Sequence, residues 1–70
     1  MMTLEINGEL VDVTLRSAES LRDLLVFLGQ KSDQVIVEIN GELYRESAFD
    51  EVILKPLDRI EILHFIGGGL

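Results

Sequence analysis

Three consecutive glycines, Gly67, Gly68 and Gly69, follow an apolar run and precede Leu70. Glycine loses more backbone entropy on ordering than any other residue and has no side chain to pack. A glycine triplet abutting a strand therefore has little structural justification. A phosphate-cradling loop needs a following helix whose N-terminus completes the site, and here only Leu70 follows. What remains is main-chain chemistry: a terminal carboxylate on a slender arm. A carboxylate is a poor electrophile and must be activated, for example by joining it to AMP. Residues without Cβ let the backbone thread the narrow cleft beside the nucleotide that such activation requires. The plainer reading is a frayed terminus. Side-chain chemistry offers little competition. The chain has no cysteine and one histidine, His64, so it lacks a thiolate zinc site, a disulfide and a cysteine nucleophile. No spacing orients an acid toward His64, which reads as a half-buried strand residue. No metal site is expected.

The elements that must present such an arm are legible from periodicity. Leu4 and Ile6 alternate with Thr3, Glu5 and Asn7, and Val11, Val13 and Leu15 alternate with Asp12, Thr14 and Arg16. Asn7-Gly8 lies between these strands and matches the positive φ values of a type I′ hairpin turn. The period then changes to that of a helix, with Leu21, Leu24, Leu25 and Leu28 on one stripe. Ser20 and Asp23 form an acidic capping box, and Gly29 sits at the left-handed C′ position. A third strand carries Val35, Val37 and Ile39, beginning at Gln34, and Asn40-Gly41 turns it into a short fourth strand at Leu43-Tyr44-Arg45. Ser47 to Val52 reads as a loop or a single helical turn. Lys55-Pro56-Leu57-Asp58 reads as a turn with φ pre-set at Pro56. Arg59 to Ile66 is the most apolar strand, so it belongs at the centre of the sheet and parallel to the first.

The order β-β-α-β-β-β predicts an α+β protein: a β-grasp, or ubiquitin-like, roll with a mixed four- to five-stranded sheet covered by one main helix. Residues 1–66 form its single domain and 67–70 a glycine-rich C-terminal tail. Strict alternation turns Ile60 and Ile62 toward the helix and Leu63 and Phe65 to the opposite face, where Ile36 joins them. A cluster of exposed apolar residues beside the tail marks a docking patch for partner proteins; a bulge near the strand end turns Phe65 inward instead.

Size and charge narrow the function classes. Seventy residues make one domain that buries only about 60% of its unfolded surface. That leaves little room for an enclosed substrate cavity of roughly 300 Å³ or more, so an independent enzyme is disfavoured. Thirteen acidic against six basic residues give a net charge of −7, which repels nucleic acid and anionic membranes. Met1-Met2-Thr3 leads directly into alternating residues, without a basic n-region or a long apolar run, which points to the cytoplasm.

Three segments carry a resemblance over nearly the whole length: Ile39-Asn40-Gly41-Glu42, Asp58-Arg59-Ile60-Glu61-Ile62 and Phe65-Ile66-Gly67-Gly68-Gly69. In order and at these spacings they make the chain similar to the ThiS sulfur carriers of thiamine (thiazole) biosynthesis, within the ThiS/MoaD ubiquitin-like superfamily. The resemblance implies a protein co-substrate, not a catalyst. A ThiF-type adenylating enzyme uses ATP and Mg²⁺ to adenylate the C-terminal glycine. A sulfur donor, usually a persulfide charged by a cysteine desulfurase, displaces AMP to leave a thiocarboxylate. A ThiG-type thiazole synthase takes up the sulfur. The chain itself binds no cofactor. By this resemblance the acceptor is Gly69 after loss of Leu70. The departure from the family pattern is Leu70, explained by trimming, by an added residue, or by a lineage charged in another way. Two alternatives compete. A molybdopterin-synthase small-subunit-like carrier has a proline-containing approach to the tail, where this chain has His64-Phe65-Ile66. A ubiquitin-like interaction module with an inert tail predicts that deleting Gly68 to Leu70 changes nothing.

Overall fold

The computed structural model describes residues 2–14 and 20–65. Among these residues the strands are β1 (Met2–Ile6), β2 (Glu9–Val13), β3 (Val35–Ile39), β4 (Glu42–Tyr44) and β5 (Arg59–His64). One helix, α1 (Leu21–Phe27), lies between β2 and β3, and 3₁₀ turns occupy Ser32–Gln34 and Glu46–Ala48. The sheet order is β2-β1-β5-β3-β4. β5 is central, parallel to β1 and antiparallel to β3. This is the β-grasp arrangement expected from the element order, with all five strands in one sheet.

Both hairpins turn where their Asn-Gly pairs dictate. Asn7 and Gly8 have φ of 50° and 86°, and Asn40 and Gly41 have φ of 52° and 91°, the conformations a type I′ turn demands. The helix is short, and its ends are fixed by local chemistry. The Ser20 N–H donates to Asp23 Oδ2 at 2.8 Å, and the Asp23 N–H donates back to Ser20 Oγ at 3.4 Å. At the other end Gly29, at φ 73°, lets its own N–H reach Val26 O at 3.0 Å and the Gln30 N–H reach Leu25 O at 2.8 Å. That pair of bonds is a Schellman motif. A helix of seven residues is marginal in isolation and owes its stability to packing.

Leu21, Leu24 and Leu25 are buried against the inner sheet face formed by Leu4, Ile6, Val13, Val35, Val37, Ile39, Ile60 and Ile62. Leu28 is only partly buried at the helix end. Leu15 and Ile66, expected to continue the alternation of their strands, lie outside the described residues. Gln34 belongs to a 3₁₀ turn, not to β3, and Arg45 falls just outside β4.

Two features depart further from sequence expectation. His64 is exposed rather than half-buried, because β5 extends past the end of β1 and its last inward-facing position has no core beneath it. Phe49, in the stretch read as a loop or a single helical turn, is fully buried. The 3₁₀ turn before it swings the ring into the core, where the Arg22 guanidinium lies 6.0 Å from the ring centroid. Arg22 also bonds Asp50 and, through Nη1, Ser32 Oγ at 3.0 Å, so the segment is tied to the helix. Leu21 N–H adds a bond to Val52 O at 2.8 Å.

Candidate functional site

The site is built around β5, the strand that leads into the glycine tail. A central strand is gripped on both sides, yet β1 pairs with β5 only at Glu5–Arg59 and Ile6–Ile60. Beyond that point the asparagine of the first turn takes over. Asn7 Oδ1 accepts from the Ile62 N–H at 2.8 Å, and the Asn7 N–H donates to Ile60 O at 2.8 Å. The second turn does the same at the start of the strand. Asn40 Oδ1 accepts from the Arg59 N–H at 2.9 Å, and Asn40 Nδ2 donates to Asp58 Oδ1 at 2.9 Å. Asp58 is buried, and its second oxygen accepts from the Lys55 N–H at 2.8 Å. Such side chains satisfy backbone donors that would otherwise lose their partners where the ladder ends. The two Asn-Gly pairs are thus clamps on β5 as well as turns, a role their turn signal concealed.

At its far end β5 pairs with β3, from Ile39–Ile60 to Val35–His64. The Phe65 N–H reaches Gln34 O at 3.2 Å, and His64 Nε2 donates to Gln30 Oε1 at 2.6 Å. The tail residues Gly67, Gly68 and Gly69, and Leu70 with them, lie outside the described residues. Of the expected docking residues, Leu63 is 50% exposed and stands directly opposite Ile36 in the β3–β5 register. Ile36 and Phe65 are each half-buried. Leu43, 64% exposed, opposes Glu38, which in turn opposes Glu61. An apolar pair therefore sits nearest the tail, with acidic residues farther along the same face.

No group of three His, Asp or Glu side chains among the described residues is arranged to hold a metal ion. An open cleft of about 520 Å³ lies at the opposite end of the molecule, lined by Asn40, Tyr44, Ile53 and Asp58 among others. It is remote from the end of β5. No helix among the described residues is long and apolar enough to cross a membrane.

Comparison with known proteins decides between the possible carriers. Residues 3–69 match the model of the ThiS family. The chain belongs to the ThiS family. It is 39% identical to the sulfur carrier protein ThiS of Bacillus subtilis, over 94% of this chain and 98% of that protein. It superimposes on the crystal structure of the thiamine biosynthesis protein ThiS from Geobacter metallireducens with a TM-score of 0.81 and 36% identity, covering 97% of this chain and all of that one. It is also 35% identical to a thiazole synthase of Magnetococcus marinus over 97% of this chain, which spans only 20% of that much longer protein. The family match ends at Gly69 and excludes Leu70.

Within this ThiS-family chain, two of the segments that carry the resemblance meet in space. Asn40 of the first is bonded to both Asp58 and Arg59 of the second. Much of the family signature therefore holds the tail-bearing strand in place. Sequence reasoning missed Asn7, Gln30 and Phe49. Nothing local marked Gln30 or Phe49, whereas the repetition of Asn-Gly beside two strands was a signal that pointed to Asn7.

Proposed function

We propose that the chain is a sulfur carrier of thiamine biosynthesis that bears sulfur as a thiocarboxylate on Gly69. The family match that runs through Gly69 and stops before Leu70 carries this reading. Fold and chemistry support it. β5 is the central strand and is clamped along its length, so the chain enters the tail from a rigid base, while the glycines leave the terminal carbonyl unhindered.

A ThiF-type enzyme supplies ATP and Mg²⁺ and joins the Gly69 carboxylate to AMP. The outer sulfur of a donor persulfide, charged by a cysteine desulfurase, then attacks the acyl carbon and expels AMP. A second thiol cleaves the resulting acyl disulfide, leaving the thiocarboxylate and a disulfide. The thiocarboxylate formed is a better nucleophile than the carboxylate it replaces, as a thiolate is than a hydroxyl. A ThiG-type thiazole synthase is its acceptor. The Magnetococcus thiazole synthase, which holds a ThiS-like segment within its own chain, supports that pairing. Ile36, Leu63 and Phe65 form the docking patch beside the tail. The carrier works in the cytoplasm, where its enzymes and ATP are found.

Leu70 must be removed first, since while it is attached the Gly69 carbonyl is a peptide amide and offers no carboxylate to adenylate. Incubating the full-length chain and a chain ending on Gly69 with activating enzyme, donor and ATP tests this by intact mass. Only the chain ending on Gly69 gains the mass of sulfur in place of oxygen. Sulfur on a chain that retains Leu70 refutes the trimming step.

A further inference from the structure

The contact between Gln30 and His64 has no evident role in folding. His64 is exposed and Gln30 half-buried, and neither belongs to the core. Yet the two are brought together by rigid elements. The Schellman motif at Gly29 fixes the Gln30 backbone through its 2.8 Å bond to Leu25 O, and the Gln30 side chain then accepts from His64 Nε2 at 2.6 Å. His64 is the last residue of β5. The next bond of the ladder, from the Phe65 N–H to Gln34 O, lengthens to 3.2 Å, the far edge of the usual range for N–H···O. The Gln30–His64 bond thus falls where main-chain pairing weakens, on the helix side of the strand and at its last residue.

We propose that Gln30 is a positioning residue for sulfur loading: by holding His64 it orders the end of β5, from which the reactive terminus follows in sequence. This rests on the reading that the tail carries the sulfur. An enzyme that captures the tail in one orientation loses less freedom on binding when the root is already oriented. Neither side chain touches the reacting atoms, so their influence lies in capture of the tail, not in the chemical step.

The test compares the chain ending on Gly69 with its Gln30→Leu, His64→Ala, double and Gln30→Glu variants, the last of which keeps an acceptor oxygen. Gln30→Leu lowers kcat/KM for adenylation about five-fold, the effect of one net hydrogen bond, mainly through KM. The thermal midpoint falls by no more than about 4–8 °C, the shift that one net hydrogen bond gives a domain of this size. The double variant is no worse than either single variant, and Gln30→Glu restores most of the loss. ¹⁵N relaxation shows lower order at the His64 and Phe65 amides of Gln30→Leu, with Val37 and Ile62 unaltered. Unchanged kcat/KM, additive losses, failed rescue by Gln30→Glu or unaltered order at His64 each overturn the proposal while leaving the carrier reading intact. A chain ending on Gly69 that, with Gln30 and His64 intact, accepts neither AMP nor sulfur refutes the carrier reading itself.

Discussion

At the residue scale, Asn40 does two jobs that can be separated. Its φ of 52° suits the turn, and its amide links Asp58 to Arg59. Glycine tolerates the backbone conformation but removes the amide. Asn40→Gly is therefore expected to cost about 1–3 kcal/mol, the range for leaving the buried Asp58 carboxylate short of a donor, as measured by urea denaturation. No loss would mean that the clamp contributes nothing and that Asn40 serves the turn alone. Asn7 makes the equivalent bond farther along the same strand. Both side chains act on β5, which explains why two turns of the same sequence flank the one strand that leads to the tail.

At the scale of elements, the regular parts of the fold follow directly from periodicity. Leu21, Leu24 and Leu25 supply the helical stripe, and Val35, Val37 and Ile39 alternate as a strand does, because each pattern buries one face of one element. Ser20, Asp23 and Gly29 mark the helix ends because capping is local chemistry. The 46–58 segment was harder to read. Its buried residues Phe49 and Leu54 follow neither period, since the chain there dips into the core between turns. His64 was misread for the opposite reason: its position in the alternation implies burial, but only the tertiary overhang of β5 decides whether a core lies beneath it. Gln30 meets His64 only because α1 ends beside β5, a relation no local pattern contains. The weight carried by the irregular segment is measurable. Phe49→Ala removes the aromatic plug and the surface under Arg22, and should cost about 3–5 kcal/mol, a large part of the stability of so small a domain. A loss below about 1 kcal/mol in thermal or urea unfolding would show that the core closes without it.

At the scale of the whole molecule, the inner sheet face folds the chain, and the proposed docking patch lies on the outer face. Leu63 is half exposed opposite Ile36, close to where the chain leaves the sheet. Leu63→Ser removes apolar contact area while disturbing little of the core, so affinity for the adenylating enzyme should fall about ten-fold, on the scale of an anchor residue in an interface, with the thermal midpoint shifted little. Unchanged affinity measured by calorimetry would place docking elsewhere on the surface. The proposed carrier role divides the labour in this way: side chains hold the fold, and the main chain reacts.

The most direct measurement is fragmentation mass spectrometry of the chain ending on Gly69 after reaction with its adenylating enzyme, ATP and a persulfide donor. The account predicts one sulfur in place of one oxygen, localised to the Gly69 carboxylate and lost when thiazole synthase and its substrates are added. A chain that stays unmodified under conditions that charge an authentic ThiS, or sulfur found at any other residue, would contradict it.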